Sequence, residues 1–429
     1  MAQIYLYDEF NPEDTAMLQA LYSRSSKSVS DHVDKVKASG SGKFMETFYI
    51  GYGHSSIADC GSTTLFIEGL SILADKAIQD WPLYSGQETS TRYIDMSKQA
   101  IIDPINTPES QEIIKKWMDF YINSQEEIRE HLIKKYPKKE DEDQAVYDKA
   151  IKARSFDIGR GFLPAGITTQ LSWHTNLRQA YDKISWLRQH PLEEVREIAQ
   201  KILQILQEKY PHSFGQKIVE EQEEYRKKVN ENHNFLAPKK VKGVIMTTDI
   251  KKKDLKKYQE IFDFRPAKTT LPNFIGELGS VGFEFNLDYG SFRDIQRHRN
   301  GVCRMPLLST ELGFNTWYLE QLPDNLREKA LTLIEEQKEA LNKLEASPEI
   351  KQYYIALGFN VFCRVNYNLS ATIYVIELRS GKTVHPTLRK IAHQMNHELT
   401  KKFNNLKTYC DLDQDDWDYR RGLQDIKKK

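Results

Sequence analysis

The sequence predicts an α+β fold made of two related halves, each a sheet flanked by long helices. Three observations point there: long segments with apolar residues at helical spacing, short alternating segments, and a set of motifs that occurs twice in the same order. Taken along the chain, Thr63–Ile67 is the first strand candidate. The segment from Ile113 to Leu132 reads as a helix with Trp117, Tyr121 and Ile128 on its apolar side. In the next helix Leu192, Val195, Ile198, Ala199, Ile202, Leu203 and Leu206 recur three and four apart, and Pro191 is expected in its first turn. Val244–Thr248 and Val281–Leu287 are further strands. Within the second, Phe283-Glu284-Phe285-Asn286-Leu287 alternates strictly, as a half-buried strand does. Arg327–Ala346 is a third helix, carried by Leu331, Ile334, Leu341 and Leu344. Strands separated by long helices, with mostly local pairing, give the α+β class.

The repetition is the stronger signal. Leu65-Phe66-Ile67 leads through Ile78-Gln79 to Asp80-Trp81-Pro82. At a constant offset of 217, Gly282-Phe283-Glu284 leads through Ile295-Gln296 to Arg297-His298-Arg299. Further on, Asn176-Leu177, Arg188, His190-Pro191 and Val195-Arg196 are answered by Asn368-Leu369, Arg379, His385-Pro386 and Leu388-Arg389. The offset there is about 192, so the first copy holds extra residues, and the charged stretch Lys134–Lys149 is the natural place for them. The halves fall at 1–225 and 245–429. Between them, 226–244 reads as a polar linker: Lys227, Lys228, Asn230, Asn232, Lys239, Lys240 and Lys242 cluster there, and Pro238 opposes helix continuation. The closing Lys427-Lys428-Lys429 reads as a solvated end.

Composition excludes several classes of function. Lys+Arg and Asp+Glu both number 61 in 429 residues, so no global charge recruits nucleic acid. No run approaches the ~18 apolar residues of a membrane span. The opening MAQIYLYDEF lacks a basic region followed by an apolar one, so it does not read as a signal peptide. Cys60, Cys303, Cys363 and Cys410 are far apart and form neither a disulfide framework nor a zinc motif, which fits a reduced, cytoplasmic chain. No metal-ligand spacing and no dinucleotide-binding glycine motif occurs, and no Ser–His–Asp set can be assembled.

Four stretches could carry chemistry. Arg297-His298-Arg299, with Arg293 and Arg304 nearby, is the densest cationic feature. Adjacent residues on a helix diverge by about 100°, so its two arginines cannot both grip one phosphate while the segment is helical; at a helix end they could serve two ligands on two sides. The alternative is a solvated basic face. Ser85-Gly86-Gln87-Glu88-Thr89-Ser90-Thr91-Arg92-Tyr93 could cradle an anion with backbone N–H groups, hydroxyls and Arg92, or could be a polar loop. In Gly53-His54-Ser55-Ser56-Ile57-Ala58-Asp59, Ser55 or Ser56 could cap a helix that holds Asp59 in its first turn. Arg160-Gly161-Phe162-Leu163-Pro164 places an arginine beside a glycine, where it is expected to be exposed enough to reach a ligand.

Together, and in this order, these residues resemble the flavin-dependent thymidylate synthases. The signature of that family is RHRxxSxNExSxRY, downstream of a GHxSxxEH segment. Gly53–Asp59 is similar to GHxSxxE with Asp for Glu, and Ser85–Tyr93 to SxNExSxRY with Gln for Asn. Arg160, Leu163-Pro164, Asn176, Arg178 and Val195-Arg196-Glu197-Ile198-Ala199 match the later RxxLP…NxR…EIRxxA region. The signature is split between the halves. The first carries Asp80-Trp81-Pro82 in the RHR slot. The second keeps RHR and Arg379, but Val302-Cys303-Arg304-Met305-Pro306-Leu307 follows.

What the resemblance implies is an FAD enzyme that methylates dUMP to dTMP with methylenetetrahydrofolate and NADPH. The family is a homotetramer whose sites lie between subunits, so a duplicated chain implies one surviving composite site and a homodimer that mimics the tetramer. Its partners would be small molecules, with no nucleic acid, membrane or metal. The resemblance implies that Glu88, Thr89, Ser90, Thr91, Arg92, Arg160, Asp294, Arg297 and Arg379 hold dUMP. Arg379 would be catalytic, stabilising the anion of the deprotonated pyrimidine. Ser56, Asp59, Glu88, Asn176, Arg178, Arg297, His298 and Arg299 would line FAD, and His54 would face folate and NADPH. Asp294 stands where the family has Gln. A carboxylate cannot donate as an amide does, so another pyrimidine nucleotide is a second reading. An inactive nucleotide-binding paralogue is a third.

Overall fold

The computed structural model describes residues 9–25, 27–231 and 236–424. Asn232 of the expected linker, the closing lysines and most of the N-terminal segment lie outside them. The chain forms two compact units. One comprises 1–70, 74–88 and 169–233; the other comprises 71–73, 89–168 and 234–429. The units therefore cut across the sequence halves: the stretch 89–168 clusters with the C-terminal part.

The first unit holds a three-stranded sheet of β1 (Ser62–Ser71), β3 (Thr168–Asn176) and β2 (Ser85–Glu88), in the order β1-β3-β2. The second holds β4 (Ile245–Thr248), β5 (Ser280–Asp288), β7 (Asn360–Asn368) and β6 (Gly301–Arg304), in the order β4-β5-β7-β6. Val281, Phe283, Phe285 and Leu287 of β5 are all but fully buried, as the alternation requires. Each such side chain contributes ~1.5–3 kcal/mol by leaving water. Pairing is antiparallel and non-local, contrary to the expected local pairing: Ser280 faces Asn368, and Asp288 faces Asn360. The central strands β3 and β7 had been read only as motif residues.

The element series recurs from one unit to the other. Ser62–Ser71 is followed by the helix Ile72–Gln79, and Ser280–Asp288 by the helix Tyr289–Gln296, the two helices lying 217 residues apart. Thr168–Asn176 and the helix Leu177–Leu187 recur 192 residues later as Asn360–Asn368 and Leu369–Arg379. Register is kept as well: Ser85 pairs with His174, and Val302, 217 further on, pairs with Asn366. The extra residues of the first copy lie in Pro108–Lys135 and Gln144–Gly159, against the shorter Asp324–Lys343 and Pro348–Lys351.

The expected helices are present, with shifted ends. Glu193–Lys209 starts two residues after Pro191, which stays outside it. The helix Glu220–Glu231 extends into the expected linker. Beyond it Leu236 and Val241 pack on Phe362, so this stretch is not a free tether. Among the described residues no helix is long and apolar enough to cross a membrane.

Candidate functional site

The helix Tyr289–Gln296 sets the second unit's site. Asp288 caps it, accepting the Ser291 N–H at 2.9 Å, and Arg297 is its C-cap. The Arg297-His298-Arg299 triad thus lies past the helix end, and the 100° divergence of helical neighbours no longer applies. Cations there also complement the helix dipole.

Asp294, one turn before the end, is the centre of the arrangement. Arg297 Nη1 lies 3.7 Å from its Oδ1 and Arg160 Nη1 lies 4.0 Å from its Oδ2. Arg379, the last residue of its helix, donates from Nη2 to the Asp294 carbonyl oxygen at 2.6 Å and from Nε to His298 Nε2 at 2.7 Å. Burial opposes ionisation of Asp294, but Arg297, Arg379, Arg160 and Arg92 outweigh it and hold the carboxyl at about 2. Burial and the adjacent Arg379 push His298 down to about 3, so it is neutral at pH 7 and accepts from Arg379. The net charge around Asp294 is strongly positive, a setting for an anion.

Arg92 reaches this set from the turn after β2. Its Nε and Nη2 donate to Asp157 at 2.7 and 3.0 Å, and its Nη1 to the Thr383 carbonyl at 3.1 Å. Ser90 Oγ accepts the Arg92 N–H at 3.2 Å. Thr91 is 3% exposed, so its side chain is not presented to a ligand as expected. The strand β2 takes Ser85–Glu88, which makes half of the supposed cradle sheet rather than loop.

Arg160 corrects a second expectation. It is 2% exposed and does not stand at the surface. Its Nη2 donates to Ser291 Oγ at 2.7 Å and lies 3.8 Å from Asp288, which also accepts from the Tyr318 hydroxyl at 2.8 Å. Gly161 makes this possible, because a Cβ there would meet the Tyr318 ring at 2.6 Å. Burial works against the Arg160 charge, and Tyr318, Asp288 and Asp294 more than restore it. Arg160 therefore backs Asp294 from inside.

The first unit gathers a different set. Arg178 Nη2 pairs with Asp59 at 2.7 Å, and Asn176 caps the helix Leu177–Leu187 by accepting the Gln179 N–H at 2.8 Å. Ser55–Cys60 is a short 3-10 helix with His54 at its N-cap and no side-chain cap, so neither serine caps it. Ser56 and His54 are exposed. Phe48 stacks on His54 at 6.3 Å. Glu88 accepts from Gln79 Nε2 at 2.8 Å. Arg299 donates to the Arg297 carbonyl at 3.1 Å, in the second unit.

The sequence motifs do not single out Asp157, Asp288 or Tyr318. Asp157 stands three residues before Arg160, a usable signal.

Comparison with known proteins places part of this. Residues 6–212 match the family model described as thymidylate synthase complementing protein. The match covers 207 of the 429 residues. The family model stops before the second copy, whereas similarity to whole proteins continues through it. The chain is 25% identical to a UPF0159 protein of Chlamydia muridarum, covering 88% of this chain and 82% of that one. A UPF0159 protein of Chlamydia pneumoniae gives 25% over the same shares. One of Thermoplasma acidophilum gives 24%, over 90% and 92%. The match supports a part in thymidylate synthesis at a coarse level.

Proposed function

We propose that the chain is an FAD-dependent thymidylate synthase that converts dUMP to dTMP with methylenetetrahydrofolate and NADPH. One observation carries the reading. Arg160 and Arg297 stand 4.0 and 3.7 Å from the Asp294 carboxylate, Arg379 bonds the Asp294 carbonyl oxygen, and the charge of Arg92, nearly 290 positions from Arg379, adds to theirs. Their convergence fits a composite site kept whole after duplication and fusion, and the recurring element series and register support that history.

In this reading Arg92 and Arg297 bind phosphate and pyrimidine oxygens. Arg160 is too buried to touch the nucleotide and instead fixes Asp294 and the helix start. Arg379 has no hydrogen bond from Nη1 to any described residue, and it stabilises the pyrimidine anion with that nitrogen. Ser90 adds a hydroxyl beside Arg92. Arg297, neutral His298 and Arg299 supply the cationic and hydrogen-bonding donors that a pyrophosphate needs, so the residues present fit FAD. Within the first unit, Ser56, Asn176, Arg178 and Asp59 are the residues the resemblance assigns to flavin, and His54 the one it assigns to folate and NADPH. FAD, when bound, supplies the hydride that NADPH provides. Two chains pair as a homodimer, in the cytoplasm, on small-molecule ligands alone.

A second reading rests on Asp294. Held ionised, it accepts from an exocyclic amino group, which favours a cytosine nucleotide such as dCMP. The test is product analysis under anaerobic conditions with FAD, NADPH, methylenetetrahydrofolate and either dUMP or dCMP. Formation of dTMP from dUMP supports the first reading. Methylation of dCMP alone supports the second. No bound flavin and no product leave an inactive nucleotide-binding protein.

A further inference from the structure

Arg92 stands on a turn, outside any helix or strand, so its backbone does not fix its long side chain. Something else must aim it. Its fork of Nε and Nη2 is taken by Asp157, which is fully buried, and one hydrogen of Nη1 by Thr383. Of its five N–H donors this leaves two, one on each terminal nitrogen, as the edge that can grip a phosphate or carbonyl oxygen.

Asp157 is itself held from its other side. Arg421, in the short 3-10 helix Tyr419–Gln424, donates from Nη2 to Asp157 Oδ1 at 2.9 Å and from Nη1 to Oδ2. The same Nη2 lies 3.3 Å from the Arg92 carbonyl oxygen, and the guanidinium stacks over the Tyr93 ring at 5.1 Å. Arg421 thus touches both the partner of Arg92 and its backbone. Burial disfavours the Asp157 charge, and Arg421 and Arg92 together overcome that and keep the carboxylate ionised.

The C-terminal segment that delivers Arg421 is pinned along its length. Buried Arg389 donates to the backbone carbonyls of Asp411, Asp413 and Asp415. Trp417 stacks on Tyr136 at 4.6 Å. Gly422 lies so close to the Val146 carbonyl that a Cβ would approach it to 2.0 Å.

We propose that Asp157 and Arg421 are positioning residues for Arg92, and that the segment 411–424 is a strap that sets the edge Arg92 turns toward the nucleotide. The inference rests on the reading of Arg92 as a nucleotide ligand. Neither residue touches substrate. A strap of this kind makes nucleotide affinity depend on residues 411–424.

The test is a double-mutant cycle on nucleotide affinity in the full chain. Titration calorimetry with dUMP, and in parallel dCMP, is run on wild type, Arg421→Ala, Arg421→Lys, Arg92→Ala and the double Arg92→Ala/Arg421→Ala variant. Melting is followed by circular dichroism. Arg421→Ala is expected to weaken the tighter nucleotide about tenfold or more, with Arg421→Lys, which keeps the charge and loses the fork, in between. The double variant is expected to bind no more weakly than Arg92→Ala alone, because Arg421 acts only through Arg92. Should Arg421→Ala not fold, Arg421→Lys in both backgrounds carries the cycle. Wild-type affinity in the Arg421 variants, or losses that multiply in the double variant, would overturn the strap and leave the site reading standing. Wild type that binds neither nucleotide would overturn both.

Discussion

The end of the helix Ile72–Gln79 and the end of the helix Tyr289–Gln296 hold matching places in the recurring element series, and they differ in opposite directions. Ala77 corresponds to Asp294 at the 217 offset. In each copy a cation from the later helix bonds that residue's carbonyl oxygen. In the first, Lys183 donates to the carbonyls of Ala77 at 2.7 Å and Asp80 at 2.9 Å. Its ammonium lies over the Trp81 ring at 5.5 Å, and Trp81 bonds Gln179 at 2.9 Å. Lys183 is 5% exposed, so the position is sealed. In the second copy Arg379 caps with Nη2, holds His298 with Nε, and is not sealed in. A lysine's donors are compact, whereas a guanidinium can cap with one nitrogen and offer another. The contrast teaches that the scaffold tolerates either a closed structural plug or an open cationic helix end. The side chain that reaches the carbonyl decides which.

The largest expected effect breaks this comparison directly. Arg379→Ala and Arg297→Ala should each lower dTMP formation by about 10²–10³-fold, the usual loss when a charge-stabilising donor is removed. Arg188→Ala should keep wild-type turnover. Arg188 pairs with Glu223 at 3.5 Å in the first unit and faces no such site. Initial rates on the three purified variants decide it. Equal losses in Arg188→Ala and Arg379→Ala would mean that the first copy's position is not a plug.

The plug can be read without any ligand. Burial pushes Lys183 down to about 8 from the ordinary lysine range near 10.5. A depressed amine favours the neutral form in the folded state. Between pH 8 and about 10.5 the unfolded chain therefore holds a proton that the folded chain has released, and stability rises with pH. The neutral amine still has two hydrogens for its two carbonyls. Wild type is expected to gain up to ~1.4 kcal/mol per pH unit in that window relative to Lys183→Met. Urea denaturation at pH 8, 9 and 10 measures it. Parallel pH dependences in the two proteins would show that Lys183 keeps its proton.

How much of this was legible differs between the same two regions. The repeat was readable because Phe283-Glu284-Phe285 and the motifs after it keep their order and spacing, and both halves of the observed series follow those offsets. The central strands were not: Thr168–Asn176 carries Trp173 and Leu171 among polar residues, and the motif reading masked its alternation. The split signature names Arg92, Arg160, Arg297 and Arg379 as one set, without saying that they gather around Asp294. The burial of Arg160 did not, because it depends on Gly161 admitting Tyr318 and on Asp288 and Ser291 from a distant helix start. Arg421 was hidden for the same reason. Its meaning comes from a carboxylate 264 residues earlier, and no local pattern encodes that.

The smallest effect sharpens the comparison at the residue that changed most, since Asp294 replaces in the second copy the Ala77 of the first. Asp294 has two tasks that conflict. Its carboxylate neutralises part of the cationic cluster; in the proposed reading this weakens the grip on phosphate, while the same carboxylate presents an acceptor to the pyrimidine edge. Asp294→Asn separates them. Any nucleotide monophosphate should bind more tightly to the variant, because a negative charge has gone. That gain is common to dUMP and dCMP and cancels in their ratio. What remains is the base edge: an amide donates to the uracil O4 and gives up the charged acceptor for a cytosine amino group. The ratio of dUMP to dCMP affinity is expected to rise about tenfold, within the range a single polar contact contributes to discrimination. Competition binding with both nucleotides in one titration reads that ratio. A ratio that stays constant while both affinities rise would mean that Asp294 meets only the phosphate side of the site, and the base would then be read by Arg92 and Arg379.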